Sequence, residues 1–548
     1  MTRVLGALLV VACGCTPPAP DPAVIEAPQG GVAIRRELMR VSTPKPPPNP
    51  LTGAATPDEL DAVTVVRYRV DTGTAAPRPA RAIVVLMPGF LGGAGSFDAL
   101  ARAIVRRSSA EAALEAWAID RRSNGLEDRA GIDAALAAQN AGLIGSYYVD
   151  RTPLADGTTF PGFHTQDELA FESEWGLVST IDDLRAVLAL VPADQRRARV
   201  VLAGHSLGAA IVSAFAAWDF DGARGDDELA GLVLIDGVTG SPGQPFTLTR
   251  DEYETTGLSG GMFGGAKPQL AQVRATSRFF AFPLLDVKLF PVSVGTALRA
   301  TWNPDAVEVD RPRREALELL FLSSNLPRMT NRAAFGLAFD ATTCPVSIAA
   351  VNAGATDGPL VPATPLFGSD PVQKPAPSTQ TFTWKEFDQL SPPEPTSLSE
   401  FALTWTRPGA DFGEWYFPMR LALDSALAST LTLAPGDWPV TGYGVRATRG
   451  RELAVPVLAE AAGILKGDVT AYDGLRDLMA PVGAGRPNEG RTRSEPEGFR
   501  AVSNPGFSHL DPLAGADLPG TEVRAWFDVV VDFAKANTPA GGVVVPRR

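Results

Sequence analysis

Cysteine and histidine are the residue types this 548-residue chain holds fewest of, three of each. Cys13 and Cys15 stand in an N-terminal leader and Cys344 is alone in the remainder, so no disulfide framework is available. No C-x-x-C or H-E-x-x-H spacing occurs, which leaves metal-dependent chemistry without ligands, and no metal or cofactor is expected. Long apolar runs are scarce too: Val4–Ala12 is too short to cross a bilayer as a mature helix. Basic residues are in the minority, 49 Lys and Arg against 62 Asp and Glu, for a net charge of −13. A surface that repels phosphate gains nothing from counterion release, so nucleic acid and anionic lipid headgroups are excluded as partners.

What is present begins with Met1-Thr-Arg3 and the short apolar run, which together read as a signal peptide over residues 1–15. Val10-Val11-Ala12-Cys13 resembles the lipobox of bacterial lipoproteins, with Cys13 as the acylated residue and Ala12–Cys15 as a second register. Residues 16–58, with the run Pro44–Pro50, read as an extended, coreless tether. These features predict export to a bacterial cell envelope, anchored by lipid or secreted, with membrane contact only through the anchor. The length exceeds one compact core and predicts a large domain with a sizeable insertion, or several units.

Gly204-His205-Ser206-Leu207-Gly208 is the most informative segment. It lies between the β-branched run ending at Ala203 and the small-residue run Ala209–Phe215, and so reads as a strand, a sharp turn and a helix with Ser206 at the apex. Upstream, Val63–Val70 and Ala82–Met87 read as strands. The second runs into the glycine-rich Pro88–Gly95, whose backbone N–H groups are free to point into a cleft. Leu114–Asp120 is the next strand and Thr180–Leu190 a helix feeding the strand before Ser206. Leu229–Ile235 is another buried strand, ending on Asp236. From about 240 to 453 the alternation fails amid Pro, Gly and aromatic clusters. It returns with strands at Leu453–Ala459 and Gly498–Val502 and a helix from Glu522 to Phe533. Alternating strands and helices predict an α/β fold with a mostly parallel sheet.

The elbow at Ser206, the glycine loop after Met87, Asp120-Arg121-Arg122 after the following strand and a late His509 together resemble the α/β-hydrolase superfamily. The resemblance covers residues 59–240 and 451–540. It implies a central sheet flanked by helices, a cap or lid inserted at 241–450 before the last two strands, and a disordered tail at 541–548. In that superfamily the order is serine, acid, histidine. Since His164 precedes the serine and His205 adjoins it, pointing elsewhere off the elbow, the implied base is His509. The acid stays open between Asp236, at the alternative site after the elbow helix, Glu460 and Asp468 near the usual one, and Asp357. Asp511 reads as a turn-shaping residue. The resemblance implies an oxyanion hole from the backbone N–H groups of Leu207 and Phe90, without the histidine that often braces this loop. The implied activity is hydrolysis of small-molecule or lipid esters through an acyl-enzyme. Acyl transfer or peptide cleavage on the same residues, and a non-catalytic binding protein retaining the fold, are the alternatives.

Overall fold

Nine strands form one sheet in the computed structural model, which describes residues 24–29, 32–74, 77–109, 112–237, 267–281, 287–307, 326–366, 371–434 and 444–545. They are β1 (Val24–Gln29), β2 (Val32–Ser42), β3 (Ala62–Val70), β4 (Ala80–Met87), β5 (Ala113–Asp120), β6 (Val200–His205), β7 (Gly231–Ile235), β8 (Val457–Ala461) and β9 (Phe499–Ser503). Across the sheet the order is β1-β2-β3-β5-β4-β6-β7-β8-β9. From β5 to β9 neighbours run parallel, while β3 is antiparallel to both β5 and β2, and β1 to β2. The leader, with Cys13 and Cys15, lies outside the described residues.

Strand periodicity sorts the core into two layers. Ile83, Val85, Val200, Leu202, Leu232 and Leu234 face one side, packed against helices Leu177–Leu188, Leu207–Ala216 and Met419–Leu433. Ala82, Val84, Leu86, Val201, Ala203 and Val233 face the other, under helices Asp98–Arg106 and Glu522–Asn537. Strands buried on both faces read as continuous apolar runs, which is why β4, β6 and β7 were visible in the sequence. β3 interrupts its apolar run with Arg67 and Arg69, and neither is in water. Arg67 donates two hydrogen bonds to Glu115 (2.8 and 2.7 Å) and Arg69 pairs with Glu37 (2.8 Å), all buried. Buried charges persist because they are paired.

The insertion is larger and less separate than expected. An aromatic core outside the sheet joins Phe335, Phe339, Phe401 and Trp405 from the later excursion to Ile132, Ile144, Tyr147, Tyr148 and Phe160 from the excursion after β5. The cap therefore draws on two stretches of chain. Met419–Leu433, assigned to the cap by sequence, instead packs on the elbow helix, its Leu421, Leu427 and Leu431 sharing the sheet core.

Two terminal expectations are corrected. Residues 16–58 are not a coreless tether: β2 pairs with β3 from Ile34↔Val70 to Ser42↔Ala62, and Ile34, Met39 and Val41 are buried. The proline-rich stretch after it is docked as well, Asn49 donating from Nδ2 to the carbonyls of Ala170 (2.8 Å) and Arg274 (3.0 Å). Prolines on both sides of β2 dominated the composition and concealed an eleven-residue strand. The tail at 541–548 is not disordered over its described part, since Val543 pairs with Ala80 and both Val543 and Val545 are buried.

Candidate active site

The carboxyl ends of β4, β6 and β7 finish level, Met87 beside Gly204 and His205 beside Ile235, and the residues that follow each strand meet above the sheet. In an open parallel sheet that edge is where ligands bind. The loop after β4 carries Pro88–Gly95, Ser206 directly follows β6, Asp236 directly follows β7, and the loop after β9 carries His509.

Ser206 has φ 56° and ψ −124°, a conformation that costs an L-residue energy and is held here by its surroundings. Its N–H donates to Ile235 O (2.9 Å) and its carbonyl accepts from Ala209 N–H (2.9 Å). The flanking glycines are required by contact: a Cβ on Gly204 would lie 2.1 Å from Gly208 O, and one on Gly208 2.3 Å from Met87 O. Gly89 approaches the serine equally closely, its Cβ position only 2.7 Å from Ser206 Cβ. Leu207 is the first residue of the following helix, so its N–H points out of the helix end without an i−4 partner within the helix.

Of the four candidate acids, Asp236 is the one hydrogen-bonded to His509, Nδ1 to Oδ2 at 2.7 Å. Asp236 has φ 39° and is fully buried. Backbone N–H groups of Ala462 (2.9 Å), Ile464 (2.9 Å) and Leu465 (3.3 Å) also donate to its carboxylate. Burial alone would raise its pKa; the His509 hydrogen bond and charge, with the Ile464 and Ala462 N–H groups, outweigh it and hold the carboxyl below its ordinary value. Glu460 sits on β8, buried, with Oε1 accepting from Asn504 Nδ2 (3.0 Å). Burial and the nearby Asp236 push its carboxyl well above the usual range. Asp468 caps a short helix through Thr470 N–H (2.9 Å), and Asp357 accepts from Thr383 N–H (2.7 Å) and hydroxyl (2.8 Å). His164 packs against Tyr416.

The glycine loop has a brace that sequence reasoning did not find. Arg121, buried directly after β5, donates to the carbonyls of Pro88 (2.7 Å), Gly89 (2.7 Å) and Gly92 (3.2 Å) and pairs with Glu414. Ser123 Oγ also donates to Glu414. The same cap segment runs alongside the loop, with Gly93 N–H on Phe412 O (2.9 Å), Gly95 N–H on Asp411 O (2.8 Å) and Glu414 N–H on Leu91 O (2.9 Å). Arg121 stood in view just past the end of the β5 run. Glu414, 293 positions away, carried no local signal.

Ser206, His205, His509 and Phe90 line one cavity of about 170 Å³. Phe280, Phe290, Phe339, Trp405, Phe412 and Trp415 supply much of the wall, and no charged side chain lines it among the described residues. Phe90 is wedged between Phe280 (5.0 Å) and Phe417 (4.7 Å), both edge to face. Cys344, Pro345, Val346, Ile348 and Ala349 contribute a further patch. The segment just beyond that patch hangs on three carboxyls: Asn352 N–H donates to Asp511 (3.0 Å), Ala353 N–H to Asp340 (3.1 Å) and Gly354 N–H to Glu394. Asp511 also accepts from Ser508 N–H (2.6 Å) and Thr396 Oγ1 (2.6 Å), so it ties the His509 loop to the cap.

Burial raises Asp340 to about 6 and Asp511 to about 7; burial and Asp340 raise Glu394 to about 7. In the unfolded chain such groups titrate near 4. The folded form therefore binds protons more tightly between about pH 4 and pH 7, and stability is full below that window and lost as pH rises through it. Denaturant melts are expected to show stability falling by roughly 2–4 kcal/mol from pH 5 to pH 8, with the loss flattened in Asp340→Asn/Glu394→Gln.

No family model and no curated protein matches the sequence. Among solved structures, a proposed lipase from Sulfolobus solfataricus is 12% identical over 93% of this chain and 99% of its own, with a TM-score of 0.42. A thermophilic esterase from Thermogutta terrifontis is 11% identical over 91% and 100%, with a TM-score of 0.31. A proline iminopeptidase from Mycobacterium smegmatis is 12% identical over 87% and 95%, at 0.30. Similarity so loose says nothing of substrate. Strand order, the elbow between β6 and its helix, and the inserted cap decide the architecture. The chain has the α/β-hydrolase fold.

Proposed function

We propose that the protein is a serine hydrolase of carboxylic esters, with Ser206 as nucleophile, His509 as base and Asp236 as the acid. The observation that carries this reading is the shared cavity: a strained serine and a histidine oriented through Nδ1 by a buried carboxylate open onto one apolar chamber. An Asp236 carboxylate accepting from Nδ1 leaves His509 Nε2 unprotonated and able to take the Ser206 hydroxyl proton. Ser206 Oγ then bonds to the ester carbonyl carbon, and the oxygen that gains charge is met by the Leu207 N–H and, from the glycine loop, the Phe90 N–H. Collapse breaks the bond to the alkoxy group, which leaves with the proton from His509. Water, deprotonated by His509, attacks the acyl carbon; the bond to Ser206 Oγ breaks, Oγ takes the proton back from His509, and the carboxylic acid is released.

The lining supports an uncharged ester as the substrate class. With no charged side chain on the cavity wall among the described residues, a peptide's α-ammonium finds no counter-charge, and an uncharged ester with an apolar acyl group is the better fit. The lipobox-like Cys13 adds export and a lipid anchor to the proposal, which suits hydrolysis of esters outside the cytoplasm.

Treatment with a fluorophosphonate probe tests the assignment. Peptide mapping is expected to find one adduct, on Ser206, and p-nitrophenyl esters of increasing chain length are expected to be cleaved. A well-folded protein that takes no label would instead support a binding protein that retains the fold.

A further inference from the structure

We infer that His205, the residue before the nucleophile, is a positioning residue for His509, registering the base against the serine; this rests on the proposed serine-hydrolase reading. The sequence places His205 beside the elbow and assigns it no task, and the structure corrects the expectation that it points elsewhere. Its ring is buried, lies 4.3 Å from the His509 ring at 35°, and its Nε2 is 2.9 Å from the His509 carbonyl oxygen. A carbonyl only accepts, so Nε2 carries the proton and the tautomer of His205 is fixed. One hydrogen bond thus links the residue adjoining Ser206 to the backbone of the base itself.

Two consequences follow for the chemistry. The loop after β9 is tied to β8 at its start by Asn504 N–H on Ala461 O (2.9 Å), and at His509 by two side chains, Asp236 from the ring side and His205 from the backbone side. With both in place His509 is held at its ring and at its backbone beside the elbow, and such positioning favours proton transfer in an aligned approach. Second, burial and the neighbouring His509 hold His205 down to about 3, so it stays neutral while the ring beside it gains a proton in each turnover. A histidine that protonated there would oppose the imidazolium.

The test compares His205→Gln, whose amide can still donate to the His509 carbonyl, with His205→Phe, which fills the space without a donor. Both are measured for the rate of fluorophosphonate labelling, for kcat and KM on one ester, and for thermal unfolding. His205→Phe is expected to lose about 10- to 50-fold in kcat and labelling rate with KM within twofold, and His205→Gln to regain most of it. If Phe retains the wild-type rate and Gln does not, His205 is a space-filling ring and the inference is wrong. Where His205→Phe does not fold, His205→Met takes its place in the comparison. An unlabelled wild type would overturn the serine-hydrolase reading and this inference together, whereas a labelled wild type with an equally fast Phe variant would overturn this inference alone.

Discussion

Asp236→Asn is expected to lower kcat on an ester by about 10⁴-fold while KM changes by no more than a few fold. The arrangement around the carboxylate explains the size. Oδ1 accepts from Ala462 and Leu465 N–H groups, and Oδ2 from Ile464 N–H and His509 Nδ1, so every neighbour is a donor. An asparagine must turn its NH₂ toward one of these two sets. Turned toward His509, it donates to Nδ1, forces the proton onto Nε2 and leaves the imidazole unable to accept from Ser206. Turned the other way, it faces two N–H groups in a buried site and unfavourably opposes them. Glu460→Gln is the control: burial and Asp236 already push its carboxyl well above the usual range and it makes no hydrogen bond to His509, so kcat is expected to stay within about threefold. Steady-state kinetics on the two variants separates the candidates. Equal losses would mean that the two buried acids act as a unit, and loss in Glu460→Gln alone would move the acid to β8.

Much of this was legible in the chain, and the reasons differ by element. β4, β6 and β7 announced themselves because burial on both faces makes an uninterrupted apolar run, and the elbow because steric crowding leaves only glycine at 204 and 208. Asp236 was one of four because a carboxylate's partner is settled by the turn of the backbone at φ 39° and by N–H donors some 226 to 229 positions away. β2 was hidden by its proline-rich flanks, and the burial of β3 was masked by two arginines whose partners, Glu37 and Glu115, lie on other strands. The cap resisted for a physical reason as well. Its core is aromatic residues from two distant excursions, with short helices and two-stranded ribbons that leave no sustained period.

Arg121→Met separates a brace from a mere ion pair, and the expected loss in kcat is about 10² to 10³-fold. Arg121 does two things from one buried position. It neutralises Glu414, and it gathers the carbonyls of Pro88, Gly89 and Gly92, the peptide units that set where the Phe90 N–H points. Methionine fills the volume and does neither. Glu414 is then a buried carboxylate with Ser123 as its remaining side-chain donor, and the protein is expected to lose about 3–5 kcal/mol in denaturant unfolding. Stability and rate can be pulled apart by adding Glu414→Met. With both charges gone the desolvation cost disappears, and stability should return to within about 1 kcal/mol of wild type or exceed it. The rate should not return, because three carbonyls still lack the fork that held them and the loop is free to settle away from the serine. A double variant that recovers kcat along with stability would show that the loop needs no brace, and that the cap segment from Asp411 to Glu414 suffices to hold it through Gly93, Gly95 and Leu91.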